Sequence, residues 1–158
     1  MMLKRRNAVL ALVAEYEKVI RELQAVIEDI SPTTLVGILD ETTTNPDCKS
    51  IQAMLTHVVS AGYSYCIYIQ NLKDPNAKRP DKKYHSSISD YKEDLDAVIA
   101  FTKKTFESIH DEELEEYDNS KKIMTSWGQL YDIEQLMEHA IVHILRHRRQ
   151  IENFKKNN

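Results

Sequence analysis

The sequence predicts an all-α fold, a four-helix bundle of the up-down type, on three observations. Four long segments carry apolar residues at the 3.6-residue period of a helix. Three glycines and four prolines in 158 residues leave those segments uninterrupted, a composition that favours helix. No segment shows the sustained apolar–polar alternation of a half-buried strand. The chain, 1–158, suits one domain, long enough to bury a core without disulfides or a structural metal.

The first segment runs from about Leu3 to Ile30, with Leu12, Val13, Tyr16, Val19, Ile20, Leu23, Val26 and Ile27 at helical spacing, and stops at Ser31-Pro32. SPTTLVGILD can add one short helical turn. The second begins at Ser50, a predicted N-cap, and continues through Ile51, Met54, Val58, Ala61, Tyr65, Ile69 and Leu72. A polar, proline-containing loop, KDPNAKRPDKKYHS, follows. The third starts at Ser87 or Ser89 and carries Ile88, Tyr91, Leu95, Val98, Ile99, Thr102, Phe106 and Ile109 on one face. The fourth opens at Asp132, whose spacing to Gln135 is that of a capping box, and runs to about Phe154. The links at 31–49 and 110–130 are long for a bundle, a sign of function or of short elements within them. An extended stretch is expected from Met124 to Gln129.

Composition narrows the function. Twenty-five acidic against twenty-one basic residues give a net charge of -4, with no general basic footprint for nucleic acid or an anionic membrane. No stretch is long and apolar enough to span a bilayer. The basic start before AVLALVA mimics a secretory leader only loosely, because the apolar period continues beyond the expected cleavage region. Cys48 and Cys66 lack metal-ligand or redox spacing, so the expected setting is the cytoplasm. A small-molecule substrate is expected. The oligomeric state stays open, a homodimer included.

The last segment contains EHAIVHILRHRRQI, with His139, His143 and His147 four residues apart. Histidines at i and i+4 share a helix face, and two neutral imidazoles can hold one metal ion. His57 is the histidine within another well-marked helix, so the working constellation is His57 plus a pair from the last segment. The competing reading is electrostatic, since His, Arg and Lys near a helix C-terminus complement its dipole. At about 100° per residue the apolar positions of the last segment, from Ile133 to Phe154, fill a sector of roughly 100°. His147 falls inside it, His143 at its edge, and His139 about 40° further toward solvent. His57 lies at the border of its own apolar stripe. Phase therefore favours His143 and His147 over His139.

With these residues in view, the chain resembles the DinB-like family of four-helix-bundle proteins, the DinB/YfiT-like metalloenzyme superfamily. The resemblance is carried by Met54-Leu55-Thr56-His57 and by His-x-x-x-His-Arg-x-Gln-Ile, here His143 through Ile151, with matching segment order over nearly the whole chain. It implies that His57, His143 and His147 bind a divalent metal on an open face of the bundle; His139 matches a position that is often histidine but not one of the three ligands. The chain departs from the pattern before His57, where Cys48-Lys49-Ser50-Ile51 replaces a frequent tryptophan. Characterised relatives include S-transferases and isomerases that use a low-molecular-weight thiol, and hydrolases.

Three histidines leave a coordination position open, as in catalytic rather than structural sites. The leading expectation is a metal-dependent, thiol-dependent S-transferase acting on a small electrophile. The alternatives are a metal-dependent hydrolase and a noncatalytic bundle that binds a metal or ligand. For hydrolysis a general base is not obvious: Glu138 points away from His143 and Glu134 is little better placed. Imidazole ligands suit zinc, nickel, manganese or iron without distinguishing them. Gln150 projects near the histidine edge, where it can hydrogen-bond a ligand or simply be solvated. Tyr65, Tyr68 and Trp127 read first as core and second as pocket walls. The acidic run DEELEEYD reads as a solvated surface, and the basic cluster of Arg146, Arg148, Arg149, Lys155 and Lys156 as helix-end electrostatics before substrate guidance. Cys66 projects away from His57.

Overall fold

The computed structural model describes residues 4–158, so the expected start at Leu3 lies outside the described residues. Four long helices carry the fold: α1 (Asn7–Ile27), α3 (Ile51–Gln70), α4 (Ile88–Phe106) and α5 (Ile133–Asn157), with a short α2 (Pro32–Val36) between the first two. Two short strands, β1 (Ile123–Met124) and β2 (Leu130–Tyr131), form an antiparallel hairpin before α5. The expected all-α bundle is the fold observed.

Helix starts follow the predicted caps. Ser50 Oγ accepts from the Ala53 amide, Ser87 Oγ from the Asp90 amide, and Asp132 and Gln135 form the reciprocal capping box. Two boundaries differ from expectation. α1 has no side-chain cap of its own; the Asp111 carboxylate, from the distant link, accepts the Val9 amide at 2.9 Å, and Arg6 donates to the carbonyls of Phe106 and Ile109. At its other end the Glu28 and Ile30 amides bond three residues back, tightening the chain out of α geometry before Ile30. Leu72 likewise falls beyond α3 and is exposed.

Cross-helix pairs fix the directions. Thr56 meets Tyr91, Cys66 meets Thr102 and Gln70 meets Thr105, so α3 and α4 run parallel. Glu22 pairs with Arg148 and Asp29 with Lys155, so α1 and α5 are parallel too. Gln24 reaches Lys92 and Glu17 reaches Lys103, so α1 opposes α4. The order is up, down, down, up rather than the alternating up-down order expected, because the chain runs back along α3 before α4 begins. Each long helix packs on two others: α1 on α4 and α5, α3 on α4 and α5. α1 and α3 are thus diagonal, as are α4 and α5, and their links must cross the bundle ends. That accounts for the length of 31–49 and 110–130.

Parallel α3 and α4 impose a third demand. A helix of twenty residues is about 30 Å long, so residues 71–87 must run back along it before α4 can start. They do so against α3: Arg79 donates to Ser60 Oγ, the Lys83 carbonyl accepts from Thr56 Oγ1, and the His85 carbonyl accepts from Gln52. Tyr91 Oη fastens the return near its end, accepting the His85 amide at 3.1 Å and donating to the Gln52 carbonyl at 3.2 Å. One hydrophobic core joins all four long helices, with Tyr16, Leu23, Leu55, Tyr91, Leu95 and Leu136 almost wholly buried. At Gly62 the helices approach so closely that a Cβ would stand 2.6 Å from Val98 Cγ1. No helix among the described residues is long and apolar enough to cross a membrane.

Candidate metal centre

Antiparallel packing of α3 on α5 sets His57 opposite His143 and His147. Their ring nitrogens converge: His57 Nε2 lies 2.9 Å from His143 Nε2, which lies 3.1 Å from His147 Nε2. One donor atom from each of the three falls within 4.8 Å of the others. Two nitrogens bound to one ion at about 2.0–2.1 Å lie roughly 3 Å apart, so the His57–His143 and His143–His147 spacings fit a shared cation. Phase was a sound guide, for His147 is buried and His143 and His57 are half-buried at the site's edge.

Proton placement favours a cation at this point. His147 Nδ1 stands 2.7 Å from Gln150 Oε1, an acceptor, so Nδ1 carries the proton and Nε2 a lone pair. His57 Nδ1 faces Asp47 Oδ2 at 3.4 Å, which selects the same tautomer. Both lone pairs then point at His143 Nε2, which has at most one proton to give, while His143 Nδ1 is buried without a partner. If His57, His143 and His147 held a metal ion through their Nε2 lone pairs, the conflict would be resolved and His143 could carry its proton on Nδ1. Gln150 and Asp47 would then be the outer partners that orient two of the imidazoles.

Burial keeps these imidazoles neutral, as ligation requires. Desolvation, reinforced by the neighbouring His147 and His57, pushes His143 down to about 3. Desolvation and the charge of His57 bring His147 down to about 4 despite the Gln150 hydrogen bond. His57 is lowered mainly by desolvation, with Asp47 opposing the shift and Lys82 adding to it.

The cluster lines a cavity of about 450 Å³ that opens between α3, α5, the return segment and the hairpin turn. The hairpin reverses at Gly128, whose φ of 86° falls in the left-handed region. Tyr68 Oη accepts the Ser126 amide at 2.8 Å and ties that turn to α3. Trp127 thereby stacks on His139, ring centroids 4.8 Å apart. The preference for core holds at Tyr65, which is buried in the core while also lining the cavity, and at Tyr68, which packs against it; it needs correcting at Trp127, which is 42% exposed on the cavity wall. Trp127 stands there because the hairpin, which periodicity does not reveal, carries it over α3. His139 is half-buried beneath Trp127 rather than solvent-facing, yet it stays outside the convergent triad.

Three charged lining residues escaped sequence reasoning. Asp47 sits in a single 3₁₀ turn, and Arg79 and Lys82 in the return segment, where no period assigns a direction. Cys48 also lines the cavity, whereas Cys66 is buried against Thr102 and its thiol pushed up by burial. Glu138 and Glu134 are absent from the wall. A larger hollow of about 570 Å³, between the end of α3 and the start of α5, gathers carboxylates and lysines but no histidine. Volume alone does not make it the site.

Fold and site together define a helical-bundle protein with a three-histidine cluster spaced to hold a metal ion. The chain belongs to the DinB superfamily, whose family model matches residues 15–151 and so runs from within α1 to the end of the His143–Ile151 motif. No curated protein and no solved structure matches the chain.

Proposed function

We propose that His57, His143 and His147 hold a divalent metal ion and that the protein is a metal-dependent enzyme, an S-transferase joining a small thiol to an electrophilic small molecule. The observation that carries the reading is the convergence of three neutral imidazoles on the floor of an open cavity. When bound, a divalent cation there supplies Lewis acidity that favours the ionised form of a thiol. The family resemblance supports the choice of thiol chemistry.

The chain's own residues supply the rest. Gln150 and Asp47 hold two ligands in the required tautomer, and Trp127, Tyr65 and Tyr68 offer aromatic walls against which an apolar substrate body can pack. In the transfer, sulfur forms a bond to the electrophilic carbon, the thiol proton passes to solvent, and the leaving group departs with its electron pair. Hydrolysis is less well supported. The one carboxylate on the cavity wall, Asp47, faces His57 Nδ1 and Lys82 rather than standing free to take a proton from water. Two free cysteines support a reducing, cytoplasmic setting.

The test is a panel of low-molecular-weight thiols and electrophiles offered to protein loaded in turn with zinc, nickel, manganese or iron. Conjugation that requires the metal and vanishes in His147→Ala is expected. Hydrolysis of model esters or amides with no conjugation would overturn the proposal.

A further inference from the structure

The cavity wall carries three cations and one carboxylate in a chain whose net charge is negative. Arg79 and Lys82 come from the return segment and Arg146 from α5, so they flank the histidines from two separate elements. Neutralisation is incomplete. Asp47 is shared between His57 Nδ1 and Lys82, with 4.0 Å to the lysine. Arg79 donates to the hydroxyl of Ser60 and pairs with no carboxylate, and Arg146 has no ion-pair or hydrogen-bond partner among the described residues. Of the other α5 cations, Arg148 is paired with Glu22 and Glu152 and Lys155 with Asp29, whereas Arg149 and Lys156, also without a partner among the described residues, are exposed and stand off the cavity wall. Ion pairs account for Arg148 and Lys155, and Arg146 is the α5 cation that faces the cavity with its guanidinium unpaired.

Two guanidinium groups and an ammonium beside a site for a divalent cation make the cavity a strong anion receptor. Guanidinium groups hold carboxylates through paired, charge-assisted hydrogen bonds. Ser60, Ser64 and Ser126 add hydroxyls to the same wall, and the aromatic side chains stand across it. We infer that the small molecule bound here carries a carboxylate distinct from its reacting atom, and that Arg146 and Arg79 bind that carboxylate at the cavity mouth while the remainder lies toward the histidines. This rests on the reading of the cavity as a substrate site, and it names the class of substrate.

Trp127 is the chain's one tryptophan and lies in the cavity wall, so its fluorescence reports occupancy directly. Zinc-loaded protein is titrated with succinate and with dimethyl succinate, of equal length but without charge. Saturable quenching by succinate alone is expected, weakened about tenfold in Arg146→Gln and in Arg79→Gln, the loss expected for one charged hydrogen-bonded pair. Zinc content and urea midpoint of each variant establish that fold and metal are intact. Equal binding of diacid and diester, or unchanged succinate affinity in both variants, overturns the inference. A second titration compares N-acetylcysteine with N-acetylalanine, which share the carboxylate and differ in the thiol. If the two bind equally while the preference for succinate over its diester holds, the thiol reading fails and the carboxylate site stands.

Discussion

Each histidine of the triad has a separable job. His147 is buried and oriented by Gln150, so His147→Ala is expected to abolish stoichiometric metal binding, with His57→Ala close behind; elemental analysis of purified variants reads both, and metal content equal to the parent would remove the site. Gln150→Leu keeps the three ligands but releases the His147 tautomer. Metal affinity should fall by about 10–100-fold, measured by competition with a chelating dye. The low pKa values give a pH signature in metal-free protein. Native His143 and His147 titrate near 3 and 4, whereas the unfolded chain takes up these protons near 6.5. The unfolded state therefore binds more protons between those limits. Stability is fully present above about pH 6.5 and falls as the pH drops toward about 3, and His143→Ala should flatten the slope in urea unfolding series. Gln150 and the inward phase of His147 were legible in the sequence because both share one regular helix with a measurable apolar stripe. Asp47, Arg79 and Lys82 were not, because nothing periodic orients a side chain on a loop.

Among the elements, the segment between α3 and α4 does more than connect. It brings Arg79 and Lys82 to the histidine cavity and is fastened by Tyr91. Removing that hydroxyl in Tyr91→Phe leaves the His85 amide without its partner and frees the Gln52 carbonyl and Thr56 Oγ1 of one contact each, so a loss of about 1–3 kcal/mol in unfolding free energy is expected. Hydrogen exchange should rise in residues 71–87 before it rises in the helices. The contact at Gly62 offers a second test. Gly62→Ala gains about 1 kcal/mol of helix propensity but forces a methyl against stiff Val98, an overpacking cost of about 1–3 kcal/mol. Net destabilisation is expected, reversed relative to Val98→Ala alone when both changes are combined. Caps at Ser50, Ser87 and Asp132 placed three of the four helix starts within a residue, since capping chemistry is local. The start of α1 was misplaced because its cap, Asp111, comes from a hundred residues away.

For the whole molecule, helix number and length followed from periodicity, but helix direction did not. An amphipathic stripe is equally apolar in either sense, so only pairs such as Cys66 with Thr102 and Glu22 with Arg148 reveal the up, down, down, up order. The long links were the available clue, and diagonal crossings explain them. A divalent ion that binds only the folded site should raise the melting temperature of the parent, by an amount growing with the logarithm of free ion, and leave His57→Ala unmoved.

The diagonal arrangement has a consequence for how the site comes into being. His57 and His143 are separated by 86 positions in sequence, and α3 reaches α5 only after the chain has traversed α4 and crossed the bundle end. A ribosome must therefore deliver the first ligand long before the other two. On the proposed reading, an ion held by all three histidines would find its full ligand set only once the last helix closes the bundle, so complete metal loading would mark the end of folding rather than its beginning.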